Sequence, residues 1–334
     1  MNTPEYVKVN TYEFNLDLPP EERWVNILTE FKHKFRAVIP HIRSLTDNMM
    51  GMFKYPLIGL TSFMKYSGHI MFEKEILCIS QYTGLSFEEV LMLQLCYEAC
   101  SCCTSLVSHH AFFRTLDWPF DWLDDLTINM EFKKNGNKIF TTTGWVGFVG
   151  VMTCTVPQKY SISLNFRQLK DMEFVEMFNN MLSIVQLKYP MSYLIRNICE
   201  NEMSYDDALI NLTTVHIVSP CYITFCSGNP SINPKIITRG PTDYQIYEHL
   251  YVVQTNCDQG KDEPDILYSV TRRDIATNII KKHIDLYNID DMIRQFVRYP
   301  IINEETIFYS VMYPCSGLHT SYVRKKSQMV EMIR

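Results

Sequence analysis

The chain has 334 residues, of which 46% are hydrophobic, 13% aromatic and 20% charged, with a formal net charge of −6. That balance excludes a disordered chain and leaves no global basic field to attract nucleic acid. The length allows one large domain or two, with a core that needs neither metal nor disulfide. Eleven cysteines, an odd number, form no paired CxxC elements. They are therefore expected to be mostly small buried hydrophobes, with no metal site and no cofactor. The N-terminus has no basic stretch followed by an apolar one, so no secretory signal is expected. No continuous apolar block of about 20 residues predicts a membrane span.

Residues 11–20 read as an extended segment ending in Pro19-Pro20. From Glu21 to Met50, Trp24, Ile27, Leu28, Phe31, Phe35 and Val38 recur at helical spacing, and Pro40 is expected to kink or break that helix. Residues 54–72 are apolar and read as core in preference to a lipid-facing surface. A helix over 73–83 closes at Gly84, and Ser86 with Glu89 forms a capping box for a helix running to about Ala99. The first hundred residues are thus mostly helical.

After Cys103 the pattern turns to strands, at 103–108 and 111–117, then 126–133 and 138–143 around Asn135-Gly136, then 145–154 and 160–167. Helices are expected at 171–186, 190–201 and 205–213, the last capped by Ser204. Strands follow at 214–218, 221–226, 235–239, 244–247 and 250–255. Helices at 271–285 and 289–298 and strands at 306–313 and 319–324 close the chain. Strand-rich blocks separated by helix pairs predict helices packed on stacked sheets. The one boundary suggested lies before Cys103, giving a helical segment over 1–102 and a larger unit over 103–334.

Cys103-Thr104-Ser105 sits at the helix-to-strand junction. A cysteine exposed at a new N-terminus carries its own base, because its α-amine can take the thiol proton. Arg114 is suited to favour thiolate, and Asp117 to hold the amine. Three residues apart on a strand, they fall on opposite faces, so at least one must sit where the strand ends or bends. A core cysteine beside a surface ion pair is the competing reading. His109 and His110 fall in the hairpin turn. Asn256, after Tyr251-Val252-Val253, stands where a strand-end amide serves an oxyanion, and equally where a turn residue belongs. Arg272-Arg273 open a helix, where cations are unfavourable without a partner such as a carboxylate.

Taken in order, these motifs resemble a family. Asn15-Leu16-Asp17-Leu18-Pro19-Pro20 with Arg23-Trp24, Cys103-Thr104-Ser105, and Arg114-Thr115-Leu116-Asp117-Trp118-Pro119-Phe120 come first. Gly144-Trp145-Val146-Gly147, Leu164-Asn165-Phe166-Arg167, Tyr193-Leu194-Ile195-Arg196, Val252-Val253-Gln254-Thr255-Asn256 and Arg272-Arg273 continue the series. Together they resemble the acid ceramidase and N-acylethanolamine acid amidase group of N-terminal-nucleophile hydrolases, over nearly the whole chain.

The resemblance implies an α+β fold, the αββα sandwich, with a mostly helical α-subunit-like segment over 1–102 and a β-subunit-like catalytic unit over 103–334. It implies self-cleavage between Cys102 and Cys103, an α/β heterodimer afterwards, and a nucleophile on Cys103 that forms an acyl-enzyme. Arg114 and Asp117 would support the nucleophile, Asn256 would belong to the oxyanion hole, and Arg272 would match the second arginine. The implied substrate is a lipid amide of the N-acylethanolamine or ceramide type, with peripheral membrane contact, in a lysosomal or other acidic compartment. The lack of a signal pattern leaves a cytoplasmic setting as the alternative. The sequence departs from the family at Thr115, usually Asn, at Phe166, usually Glu, and at Cys257, usually aromatic. These departures make a weakly active or inactive lipid-binding relative the rival expectation.

Overall fold

In the computed structural model, the described residues are 5–50, 70–99, 102–167, 189–260, 265, 268–282 and 289–325. The helix expected over 171–186 and most of the apolar stretch 54–72 lie outside them.

The N-terminal segment opens with two strands, β1 (Tyr6–Lys8) and β2 (Thr11–Asn15). Among the described residues, helices α1 (Val25–Glu30), α2 (Lys32–Met50), α3 (Glu73–Thr83) and α4 (Phe87–Ala99) follow. Gly84 ends α3 in the left-handed conformation at φ 77°, which glycine adopts without steric cost. The capping box before α4 is reciprocal: Glu89 N–H donates to Ser86 Oγ at 3.1 Å and Ser86 N–H to Glu89 Oε2 at 2.7 Å. Pro40 lies inside α2 without ending it. Phe35, Val38 and Ile42 stay buried in line on either side of it, and this packing outweighs one lost hydrogen bond.

Next come β3 (Cys102–Ser108), β4 (Ala111–Asp117), β5 (Thr127–Lys134), β6 (Asn137–Trp145), β7 (Thr153–Val156) and β8 (Tyr160–Phe166). The turns at His109-His110 and Asn135-Gly136 have positive φ at both central residues, which suits the twist of a two-residue hairpin. Helices α5 (Met191–Glu200) and α6 (Tyr205–Thr214) precede β9 (Cys221–Ser227), β10 (Lys235–Arg239), β11 (Tyr244–Glu248) and β12 (Tyr251–Gln254). The chain closes with α7 (Ser269–Lys282), α8 (Ile289–Phe296), β13 (Thr306–Tyr313) and β14 (Leu318–Arg324).

Two of the expected strands differ. Residues 146–152 form a buried loop rather than a strand. Side chains satisfy its backbone: Gln94 Oε1 accepts from Val149 N–H, and Arg196 Nη1 donates to the Val149 carbonyl, both at 2.8 Å. Residues 214–218 contribute only an isolated bridge between Ile217 and Tyr189.

The strands form two stacked sheets, ordered β1-β14-β13-β4-β3-β12 and β11-β10-β9-β8-β7-β6-β5-β2. Helices α7 and α8 cover the outer face of the first sheet through Leu106, Phe113, Val253, Ala276, Ile280 and Phe296. The other helices cover the outer face of the second. This is the αββα sandwich. Apolar clusters lie between helices and sheets, and a smaller one of Val107, Phe112, Cys226, Ile236, Val252 and Met312 lies between the two sheets, where the inner face of the second sheet is otherwise largely polar. On β8, for example, Ser161, Ser163 and Asn165 face the first sheet's side of the sandwich and are fully buried. Such alternation ordinarily marks a solvent face; here the polar face is inside and hydrogen-bonded.

The N-terminal segment is woven into this sandwich. β1 adds an edge strand beside β14, and β2 pairs in parallel with β5 at the edge of the other sheet. Glu75 of α3, 1% exposed, is clamped by Arg196 of α5, with Oε1–Nη2 at 2.6 Å and Oε2–Nη1 at 2.7 Å. Arg23 and the Trp24 indole N–H donate to the same carboxylate. The Arg196 guanidinium lies 4.1 Å from the Phe72 ring centroid. Nearly every polar atom of the pair is engaged, as a buried charge requires.

Candidate active site

Strands β3 and β4 carry the centre of the site, and alternation sorts their side chains. Cys103 and Arg114 point between the sheets; Thr104, Thr115 and Asp117 point towards α7. Cys103 is fully buried, with Arg114 Nη2 at 3.4 Å from its Sγ and the Leu164 carbonyl at 3.9 Å. Arg114 also donates to the Leu164 carbonyl at 2.9 Å and sits 5.6 Å from the Phe308 ring centroid. Its Nε and Nη1 have no hydrogen-bond partner among the described residues. Burial pushes its pKa down, opposed by Cys103 and Asp117.

Asp117 is the last residue of β4, on the opposite face from Arg114. Its Oδ1 accepts from Thr306 Oγ1 at 2.6 Å. Its Oδ2 faces Arg272 Nη1 at 3.3 Å and Thr115 Oγ1 at 3.5 Å. Burial pushes its carboxyl up, opposed by Arg272 first, then by the two hydroxyls and Arg114.

Arg272, in the first turns of α7, connects the two faces. Its Nη1 donates to the Cys103 carbonyl at 2.9 Å and to Thr104 Oγ1 at 2.8 Å, and its Nη2 to Asn256 Oδ1 at 3.0 Å. The carboxylate partners for this helix N-terminus are Asp117 and Asp265, which accepts from the Val270 and Thr271 N–H groups. Asn256 follows β12, which pairs antiparallel with β3. Its Oδ1 accepts from the Cys103 backbone N–H at 2.9 Å, and its Nδ2 donates to the Phe166 carbonyl at 2.8 Å. The other residues singled out in the sequence therefore gather at Cys103: Arg114, Asn256 and Arg272 meet its thiol, nitrogen and carbonyl, and Asp117 joins them through Arg272.

The adjacent thiol is differently placed. Cys102 points away from Cys103, and burial, reinforced by Asp117, pushes its thiol up to about 12. It is protonated at any ordinary pH. His109 and His110 sit at the hairpin turn, at the opposite end of β3 from Cys103.

Sequence reasoning overlooked several supporting residues. Ser105 Oγ donates to Asn165 Oδ1 at 2.7 Å, and Asn165 Nδ2 donates to the carbonyls of Gln254 and Thr255, just ahead of Asn256. Arg167 holds Asp258 through two 2.8 Å contacts, and Tyr222 donates to the same carboxylate at 2.7 Å. Asn165 and Arg167 lay within a recognised motif, as did Ser105, Gln254 and Thr255, but nothing local paired them. Thr306 carried no sequence signal at all.

A family model described as the beta subunit of N-acylethanolamine-hydrolyzing acid amidase matches residues 7–59, within the segment that precedes Cys103. Uncharacterized protein R632 of Acanthamoeba polyphaga mimivirus is 34% identical over 307 residues, covering 89% of this chain and 94% of that protein. Acid ceramidase of Mus musculus is 27% identical over 349 residues, covering 94% of this chain and 86% of the enzyme. This chain belongs to the acid ceramidase and N-acylethanolamine acid amidase family. Members of the family are amide-bond hydrolases. The solved structure of the Caenorhabditis elegans N-acylethanolamine-hydrolyzing acid amidase ortholog shares the fold, with a TM-score of 0.57 at 23% identity, over 67% of this chain and 100% of that one.

Proposed function

We propose that this protein is a self-processing cysteine amidase that hydrolyses fatty-acid amides of the N-acylethanolamine or ceramide type. The observation that carries the reading is the convergence of Arg114, Asn256 and Arg272 on the thiol, nitrogen and carbonyl oxygen of Cys103. In the uncut chain the Cys103 nitrogen is an amide and cannot act as a base. Cleavage of the Cys102–Cys103 bond makes it an amine, at the same place and beside the same acceptor. The chain would then consist of an N-terminal piece over 1–102 and a catalytic piece over 103–334, held together by the shared strands and the Glu75–Arg196 pair.

Self-cleavage begins with Cys103 Sγ attacking the Cys102 carbonyl carbon. The C–N bond breaks, the nitrogen takes a proton, and water hydrolyses the resulting thioester. In the mature enzyme the Cys103 amine accepts the thiol proton, and Sγ attacks the substrate's amide carbonyl. Arg114 favours the thiolate, Asp117 and the Asn256 side-chain oxygen hold the amine, and the Asn256 amide helps to stabilise the oxyanion. The protonated amine returns its proton to the leaving nitrogen, and water releases the fatty acid. The lipid amide and an acidic compartment follow from the family relationship, and acid triggers processing.

Intact-mass analysis before and after incubation at acidic pH tests the reading, with parallel assays of an N-acylethanolamine and a ceramide. Two fragments split before Cys103, and fatty acid released from either substrate, are expected. A chain that stays whole, or a Cys103→Ala variant that still splits, overturns it.

A further inference from the structure

The register between β4 and β13 contains an irregularity at the site. Phe308 pairs with Leu116, and Thr306 pairs with Asp117, so two steps on β13 match one step on β4. A β-bulge of this kind inserts one residue and reverses the facing of everything beyond it. On the regular part of β13, Phe308 and Ser310 face between the sheets: Phe308 packs on Trp145, and Ser310 Oγ meets Thr143 and Ser321. Without the bulge, Thr306 would share that face. With Ile307 as the extra residue, Thr306 turns to the opposite face, where Asp117 lies. Its hydroxyl donates to Asp117 Oδ1 at 2.6 Å, and both residues are buried.

The hydroxyl is itself fixed in direction. Asn303 N–H donates to Thr306 Oγ1 at 3.0 Å, which leaves the Thr306 hydrogen for Asp117. The Tyr6 hydroxyl, from β1, donates to the Thr306 carbonyl at 3.1 Å. The short contact suits an ionised acceptor.

We propose that Thr306, turned onto the nucleophile's supporting carboxylate by the bulge at Ile307, is a positioning residue that keeps Asp117 ionised and aimed at the Cys103 amine. The inference rests on the proposed role of Asp117. A donor to a carboxylate favours its charged form, and it competes here with burial, which favours the neutral one. The other titratable groups around Asp117 are Arg272 of α7, Arg114 of β4, Cys102 of β3 and Tyr6 of β1. Thr115 adds the second hydroxyl, at a longer 3.5 Å.

The test compares Thr306→Val, which keeps the shape and removes the hydroxyl, with Thr306→Ser, which keeps the hydroxyl; Thr306→Ala replaces the valine variant should that one not fold. With the cleaved enzyme and an N-acylethanolamine, the acid limb of the kcat/KM profile should move up by about one pH unit in the valine variant, a tenfold change in ionisation. KM should hold, and the serine variant should restore the limb. An unmoved limb, or a serine variant that behaves like valine, overturns the proposal. A wild type that neither splits nor hydrolyses overturns the function reading instead. Thr306 is then judged by carbon-13 NMR titration of labelled aspartate, with the Asp117 signal identified by its loss in Asp117→Asn. A higher Asp117 pKa in the valine variant alone supports the proposal, and equal values in all three proteins overturn it.

Discussion

The backbone N–H of Cys103 donates to the side-chain oxygen of Asn256 at 2.9 Å, across 153 residues of sequence. The same oxygen accepts from Arg272, which also donates to the Cys103 carbonyl. The residue on the C-terminal side of the proposed cut is therefore held at its nitrogen and at its carbonyl before any bond breaks. An amine formed there inherits an acceptor already in place, so processing needs little rearrangement of this side of the site.

Asn256→Ala should slow self-cleavage by about 10²–10³-fold, the usual cost of losing one such polar group. The rate of fragment appearance by intact mass measures this, with thermal unfolding as the control for folding. Cleavage at the wild-type rate would remove Asn256 from the processing step.

Arg272→Met leaves Asp117 buried beside an apolar chain. Loss of one partner from a buried pair costs about 3–5 kcal/mol, so urea unfolding should show a drop of that order. Adding Asp117→Asn should recover part of the stability and none of the activity. If the two changes simply add, the 3.3 Å contact between the residues contributes no coupling.

Glu75→Ala should destabilise the protein by less than that, because Arg196 stays fully buried but keeps its 2.6 Å contact with Glu200. The effect on the split protein is more specific. Size-exclusion chromatography of the cleaved variant should show the two pieces separating under mild denaturant that leaves the cleaved wild type joined.

His319 offers a pH test away from Cys103. Its ring nitrogens meet Thr143 Oγ1 at 2.7 Å and Thr155 Oγ1 at 3.1 Å, across the space between the sheets. Burial, helped by Lys138, lowers its pKa to about 3. The unfolded chain binds this proton below about pH 6.5 and the folded one does not. Its contribution to stability is therefore complete above about pH 6.5 and is lost as pH falls towards 3. His319→Gln should flatten the decline of the urea midpoint between pH 6.5 and 4. Parallel curves for the two proteins would show that His319 stays out of this titration.

Much of the scaffold was legible locally. The Ser86–Glu89 capping box, the Gly84 helix stop and the Asn135-Gly136 hairpin are each specified by a few adjacent residues, and each formed as expected. Period-two alternation located β5, and strand-like runs bounded by turn residues located β3, β4 and β8. These signals did not show which face was inside. In β8 the serines and asparagine lie between two sheets, and only their partners on other strands reveal it. The strand read over 145–154 failed for a related reason: its apolar residues are buried, but their backbone groups are satisfied by Gln94 and Arg196 instead of a neighbouring strand.

The sequence by itself determined the caps, the turns and most strands, because those signals depend on side-chain type and short spacing, while the five candidate site residues were drawn together by the ordered family resemblance. The spacing put Arg114 and Asp117 on opposite faces; only the tertiary structure decided that Arg114 takes the face of the thiol and that Arg272, 169 residues from Cys103, joins the two. It alone decided Thr306, since a single inserted residue in β13 reverses the facing of a side chain, and no local pattern records which strand absorbs that shift.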